Sequence, residues 1–276
     1  FPILNISYRC FAEIILHKYK NFLPIFLYFC RKYMRTTPMQ DTPLRVSIPV
    51  THPIHSAYMI EIIKEYFPEM TPQQESQMQD LDALYRDWNA KINVISRRDI
   101  NNLYVRHVLH SLAIAKFWNG TLVPGTSILD IGTGGGFPGI PLSIMFPQCH
   151  FHLLDRIAKK IRVVNAVAES LGLKNVTAQQ GDIGECHERF DYVVSRGVMR
   201  LEPLVTAIKH NISKENKNTY TNGLVCLKGG DLSDESAEVK FPVITYPLNE
   251  YFDAENPEVR EAFADKYLVY VPMAAK

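Results

Sequence analysis

Asp130, Asp155 and the glycines between them are the residues whose types and spacing could do chemistry. In the stretch from Ser127 to Pro141, SILDIGTGGGFPGIP, Ile128, Leu129 and Ile131 form a short apolar run. That run has the β character of a central parallel strand covered on both faces. Asp130 interrupts it near the end, and Gly132, Gly134, Gly135 and Gly136 follow. Such a backbone can take positive φ and approach a ligand with no Cβ in the way. Pro138 and Pro141 fall in the expected first turn of the next helix, where a missing amide hydrogen costs little. His150–Leu154 reads as a second strand ending in Asp155, a place where a carboxylate can accept hydrogen bonds from ribose hydroxyls. The combination points to an adenosyl group bound against the loop.

Spacing separates the folds that could own this loop. Read from Gly134, the glycines satisfy G-x-G-x-x-G with Gly136 and Gly139. A dinucleotide fingerprint should start at the strand end, however, and from Gly132 the spacing is G-x-G-x-G. An acid inside the strand end followed by G-x-G-x-G resembles motif I of class I S-adenosylmethionine-dependent methyltransferases. The flanks narrow the resemblance. Asp130–Leu142 (DIGTGGGFPGIPL), Leu153–Arg162 (LLDRIAKKIR), Val193–Arg196 (VVSR) and Leu227–Gly230 (LKGG) occur in order, preceded by Trp88–Ser96 (WNAKINVIS) and Arg106–Ser111 (RHVLHS). Together, from about Met59 to the C-terminus, they resemble the bacterial 16S ribosomal RNA guanine-N7 methyltransferases, the glucose-inhibited division protein B family.

That resemblance implies an α/β, Rossmann-like doubly wound sheet with an N-terminal helical cap, S-adenosylmethionine as cofactor, and 16S rRNA, free or within the small ribosomal subunit, as partner. It implies no membrane and no metal. Carried over residue by residue, cofactor contacts fall on Gly132, Gly134 and Phe137 of the loop, on Ile183 and Gly184 around the adenine, and on Arg196 after the fourth strand. Asp155 would hold the ribose. Arg196 is also the expected catalytic residue. Asp182 departs from family members that carry a basic residue near this position, and it is a candidate acceptor for the adenine amino group.

The acceptor atom is narrowed by what is missing. Exocyclic amino methylation commonly uses a D/N-P-P-Y/F motif after the fourth strand, where this chain reads Ser195-Arg196-Gly197-Val198. Pyrimidine C5 methylation needs a cysteine nucleophile, which that place also lacks. Guanine N7 carries a bare lone pair and no proton, so positioning suffices. A small-molecule methyltransferase with the same cofactor site is the second reading, and a nicotinamide-dependent oxidoreductase the third.

The elements that must position these residues come from composition and periodicity. With 276 residues, 46% hydrophobic and 21% charged, the chain can bury a full α/β core. Cys10, Cys30, Cys149, Cys186 and Cys226 show no C-x-x-C spacing, which supports neither zinc nor disulfides and suits a reducing cytoplasm. Residues 1–58 hold 7 Lys/Arg against 2 Asp/Glu, leaving 23 against 27 for the rest. A region with that balance must meet RNA through local patches or by docking onto a folded ribosomal particle. Candidates are Arg97 with Arg98, Arg106 with His107, and Lys159, Lys160 and Arg162.

Residues 1–58 read as an extension, disordered or translated in error, with Met59 or Met39 as the expected start. The apolar run Phe22–Cys30 is too short to span a bilayer. Residues 59–126 read as the cap. Met59–Phe67 starts an amphipathic helix, and Thr71-Pro72-Gln73-Gln74 is a capping-box start. Met78, Leu81, Leu84, Tyr85 and Trp88 then mark one buried face. A further helix is expected from about Asp99, turning Leu103, His107 and Ile114 inward, with Trp88 and His107 as packing residues. Residues 127–276 read as the methyltransferase domain, an open parallel sheet. Its strands also include Val176–Gln179, Asp191–Ser195, Gly223–Lys228 and Lys266–Val271. A helix there buries Ile157, Ile161, Val164, Ala168 and Leu171 and ends at Gly172.

Overall fold

The computed structural model describes residues 60–252 and 256–274, so the expectations for 1–58 lie outside the described residues. A helical stretch at 60–66 buries Ile60, Ile62, Ile63 and Tyr66. α1 spans Pro72–Lys91 and starts as its sequence predicts. Thr71 Oγ1 accepts from the Gln74 backbone N–H, the Gln74 side chain accepts from the Thr71 N–H, and Pro72 takes the first helical position. Met78, Leu81 and Tyr85 are buried, with Leu84 and Trp88 partly covered beside them.

The next helix departs from expectation. A 3-10 turn at Ile100–Asn102 leads into a π-helical segment at Leu103–Leu109, and only then does α2 begin, at His110–Trp118. Within the π segment Leu103, Tyr104, Val105, Val108 and Leu109 are all buried. With so many of seven consecutive positions turned inward, the segment is enclosed by protein and does not lie on the surface as an amphipathic stripe.

The sheet contains β1 (Ser127–Ile131), β2 (His150–Asp155), β3 (Val176–Gln180), β4 (Tyr192–Arg196), β5 (Gly223–Gly229), β6 (Ile244–Pro247) and β7 (Lys266–Pro272), in spatial order β3-β2-β1-β4-β5-β7-β6. The connecting helices are α3 (Gly139–Met145), α4 (Ala158–Ser170), α5 (Leu201–Ile208), α6 (Ser233–Ala237), α7 (Leu248–Tyr251) and α8 (Pro257–Phe263). β1 to β5 pair in parallel, as expected. The sheet is not parallel throughout: β7 enters from the opposite end after α8, pairing antiparallel with both β5 and β6. β6, absent from the expected strands, is four residues long, half exposed and closed by Pro247, which suits an edge strand.

Alternation along the buried strands builds a core on each face. Ile128, Tyr192 and Val194 pack with the cap, α3 and α4, while Leu129, Ile131 and Val193 pack with α5. α4 buries Ile161, Val163, Val164, Val167 and Ala168. Ile157, expected on that face, is instead 42% exposed. Its N–H donates to Asp155 Oδ1 at 2.9 Å, which holds it extended and starts the helix one residue later.

The strand order reverses direction between β1 and β4, so the chain leaves a crevice at their C-terminal ends. In open α/β sheets ligands bind there.

Candidate functional site

At the end of β1 the backbone amides of Gly132 and Thr133 both donate to the Leu154 carbonyl, at 2.8 and 3.1 Å, hanging the glycine loop on the end of β2. Asp130 closes it from below. Its Oδ2 accepts from Thr133 Oγ1 at 2.6 Å and from the Gly139 amide at 2.8 Å, tying the loop to the start of α3. Its Oδ1 is buried without a partner. Burial pushes the Asp130 carboxyl up to about 7, against the pull of those two hydrogen bonds and of Arg196. Asp155 fastens the loop from the side, accepting from the Gly134 amide at 2.9 Å through Oδ2, with Lys160 Nζ 3.6 Å away. A carboxylate has about four acceptor positions, so Asp155 can order the loop and still receive hydroxyls.

Gly134 has φ +60, and within 4 Å of where a Cβ would stand there is nothing but the Gly132 carbonyl at 4.0 Å. The left-handed conformation calls for glycine, and the open space above it is a cradle. Gly136 faces the opposite condition: a Cβ there would lie 3.0 Å from the Tyr85 hydroxyl and 2.6 Å from Ile140 Cγ1. Tyr85 donates to the Gly135 carbonyl at 2.7 Å, so the cap grips the loop directly.

Phe137 is buried between cap rings, with the Tyr85 centroid at 4.8 Å and the His107 centroid at 5.3 Å. The Arg196 guanidinium lies over it at 5.2 Å, within cation–π range. Arg196 ends β4. Its Nη1 donates to the Arg106 carbonyl at 3.4 Å, and its Nη2 stands 3.0 Å from His107 Nδ1. Burial lowers its pKa to about 10 despite the opposing charge of Asp130, so it stays a cation at neutral pH. Beyond β3, Ile183 and Gly184 sit in a 3-10 turn at Ile183–Glu185. Asp182 Oδ1 accepts from the Gly184 amide at 2.9 Å, and Oδ2 lies 3.5 Å from Arg156. Its carboxylate is thus committed first to shaping that turn.

On the other side of Arg196 an open groove of about 760 Å³ runs past Val198 and Met199 to Lys228 and Lys266, with His110 in its wall. Lys228 donates to the Met199 carbonyl at 2.7 Å and pairs with Glu235 at 2.8 Å. Arg106 borders a smaller adjoining pocket that shares His110 and Lys266. Burial, then the charge of Arg196, pulls both His107 and His110 down to about 3.

The structure therefore brings Gly132, Gly134, Phe137, Asp155 and Arg196 to one crevice, with the turn of Ile183 and Gly184 beyond the end of β3. Of the basic clusters, Arg106 borders the groove system, while Arg97, Arg98, Lys159 and Arg162 are exposed and Lys160 is drawn toward Asp155. His107, expected as packing, touches Arg196. Asp130 is expected as the acid of the loop motif, and Tyr85 and Ile157 as packing residues; Met199 carries no expected role. Ile157 and Met199 are two of the large apolar side chains left exposed, both beyond strand C-terminal ends. Among the described residues no cluster of His, Cys, Asp or Glu is placed to hold a metal, and no helix is long and apolar enough to cross a membrane.

Residues 74–251 match the family profile GidB, rRNA small subunit methyltransferase G. A Bacteroides thetaiotaomicron protein named ribosomal RNA small subunit methyltransferase G is 52% identical over 202 residues, covering 73% of this chain and 97% of the relative. A Parabacteroides distasonis protein of the same name is 46% identical over 242 residues, covering 88% of this chain and 99% of the relative. Among solved structures, a SAM-dependent methyltransferase from Aquifex aeolicus aligns with TM-score 0.43 at 14% identity, over 59% of this chain and 92% of that one. With a crevice built on a glycine loop and sequence identity near half along most of its length, this chain belongs to the rRNA small subunit methyltransferase G family.

Proposed function

We propose that this chain methylates N7 of a guanine in the 530 loop of 16S ribosomal RNA, with S-adenosylmethionine as methyl donor. When bound, that cofactor supplies an electrophilic methyl group on a sulfonium. The residues present fit it. The cradle at Gly134 is open, Asp155 stands at the end of β2, and the buried Asp130 Oδ1 has no partner. In this reading the loop backbone at Gly132 and Gly134 carries the cofactor, with Phe137 beneath it. Asp155 holds the ribose, and Ile183 and Gly184, joined by exposed Ile157, cover the adenine.

The observation that carries the acceptor assignment is the stretch ending β4, where Ser195-Arg196-Gly197-Val198 stands in place of a D/N-P-P-Y/F motif and supplies no cysteine nucleophile. His107 and His110 are held neutral far below physiological pH. Cys226 is 1% exposed, and burial pushes its thiol up to about 12. Guanine N7 needs neither a base nor a covalent nucleophile. What it needs is alignment with the methyl group, and Arg196, held at the end of β4 between loop and groove, is placed to set both in line. Arg106 and Lys266 at the groove's rim suit phosphate oxygens of the RNA. The substrate is 16S RNA, free or within the small ribosomal subunit, which places the reaction in the cytoplasm.

Borohydride and aniline cleave RNA at N7-methylguanine, so primer extension on 16S RNA from wild-type cells and cells lacking the gene reads the mark. The expected result is a stop in the 530 loop of the wild type alone. Identical patterns in both strains overturn the assignment.

A further inference from the structure

We infer that His107 is the positioning residue for Arg196, holding the guanidinium through its Nδ1 lone pair. The inference rests on the proposed role of Arg196 at the reacting centre and adds a residue that acts through it.

Three observations converge. First, the 3.0 Å contact between Arg196 Nη2 and His107 Nδ1 has one chemically allowed form. A guanidinium has donors and no acceptor, so Nδ1 must present its lone pair and the ring proton must sit on Nε2. A protonated imidazole would set two N–H groups against each other and two like charges side by side. The environment opposes that form, through burial first and the Arg196 charge second.

Second, Arg196 has no carboxylate within ion-pair distance among the described residues. What meets it is neutral: the Arg106 carbonyl, the His107 ring nitrogen and the face of Phe137. Neutral acceptors fix the direction of a cation without cancelling its charge. The remaining guanidinium N–H groups stay available at the crevice, where a carboxylate partner would have consumed two at once.

Third, the holder is built from unusual backbone. Arg106 and His107 lie in the π-helical segment Leu103–Leu109, a form that costs hydrogen-bond quality and is concentrated at functional sites. Here two consecutive residues supply a main-chain carbonyl and a side-chain nitrogen to one guanidinium, while their neighbours Val105 and Val108 stay fully buried.

The arrangement bears on the chemistry. A freely swinging arginine could donate to N7 and occupy the lone pair that must attack the methyl group. One tied at Nη1 and Nη2 keeps a fixed outlook. Loss of the tether should therefore lower the turnover rate and leave binding largely intact.

The test uses the full chain. Nitrogen-15 NMR of the free enzyme reads the His107 tautomer, with an unprotonated Nδ1 expected and no titration between about pH 5 and 8. Transfer of labelled methyl from S-adenosylmethionine to 16S RNA gives the kinetics, and calorimetry with S-adenosylhomocysteine reports an intact pocket. His107→Ala should lose about ten- to a hundredfold in kcat, with both KM values within about threefold. His107→Asn, whose Oδ1 can take the place of Nδ1, should recover most of the rate. The double variant with Arg196→Ala should be no slower than Arg196→Ala alone, because both changes remove one interaction. A protonated or Nδ1–H ring, multiplying losses in the double variant, or His107→Asn as slow as His107→Ala would each overturn the inference. A wild-type enzyme that leaves guanine N7 unmodified defeats the function proposed above while the tautomer measurement still stands, so the two failures read differently.

Discussion

The two sides of the β1–β4 crevice are built from different materials. Toward β2 and β3 the surface is main chain: the glycine loop and the 3-10 turn, each shaped by a carboxylate that accepts backbone amides, Asp155 for Gly134 and Asp182 for Gly184. Toward β5 and β7 it is side chain: Arg196, Met199, Lys228 and Lys266, oriented by a neutral ring, a carbonyl and the carboxylate of Glu235. Main chain gives a rigid and generic cradle, suited to a cofactor of constant shape. Side chains give an adjustable wall, suited to the acceptor. The two halves should therefore fail differently.

The largest effect is expected where the cradle itself is deformed. Gly134→Val places a β-branched residue at φ +60, a strained conformation, and should abolish measurable S-adenosylhomocysteine binding by calorimetry. Next comes the wall. Arg196→Ala should cost roughly a hundredfold in methyl transfer at saturating cofactor, with affinity for S-adenosylhomocysteine reduced far less than in the glycine variant. Equal losses of binding in the two would erase the distinction between the halves. Asp155→Ala should weaken cofactor binding by about 1 to 3 kcal/mol, less than Gly134→Val, because it removes hydrogen bonds without inserting a clash.

A separate effect, on stability and not on the site, concerns acid. The folded pKa of His110, about 3, lies below the ordinary histidine value of 6.5. Stability contributed by the neutral ring is thus complete above that ordinary value and is lost as pH falls toward the folded pKa. Asp130 works in the opposite sense, since its raised pKa favours the folded state below about pH 7. Replacing His110 by Gln should flatten the acid limb of stability, measured by urea denaturation between pH 6.5 and 4, by up to about 1.4 kcal/mol per pH unit. An unchanged slope would mean that the ring is already protonated in the folded chain.

What could be read from sequence divides along the same line. The loop, the strands on either side and the Thr71 cap are local patterns, since a strand end, a glycine spacing or a capping box lies within a dozen residues. The wall is assembled from residues distant along the chain: His107 meets Arg196 across 89 positions, and no local period announces such a contact. The antiparallel margin escaped for a related reason, because β6 is too short and too exposed to carry an alternating pattern. Ile157 was misplaced because periodicity counts positions without knowing that Asp155 would claim the next-but-one amide. The π segment was invisible because a run with five apolar residues in seven fits several helix types.

The grip of Tyr85 on the Gly135 carbonyl has a consequence for modularity. Val94 stands on the same loop, with its Cβ 3.0 Å from where a Gly135 side chain would begin. Cap and loop therefore fit as lock and key within one chain. The catalytic half could not be excised, or grafted onto a foreign cap, and keep the loop's form; an expressed 127–276 fragment should show no cofactor affinity even where its sheet is formed. Innovation in one part would have to be matched in the other, which makes the cap part of the inheritance of the pocket.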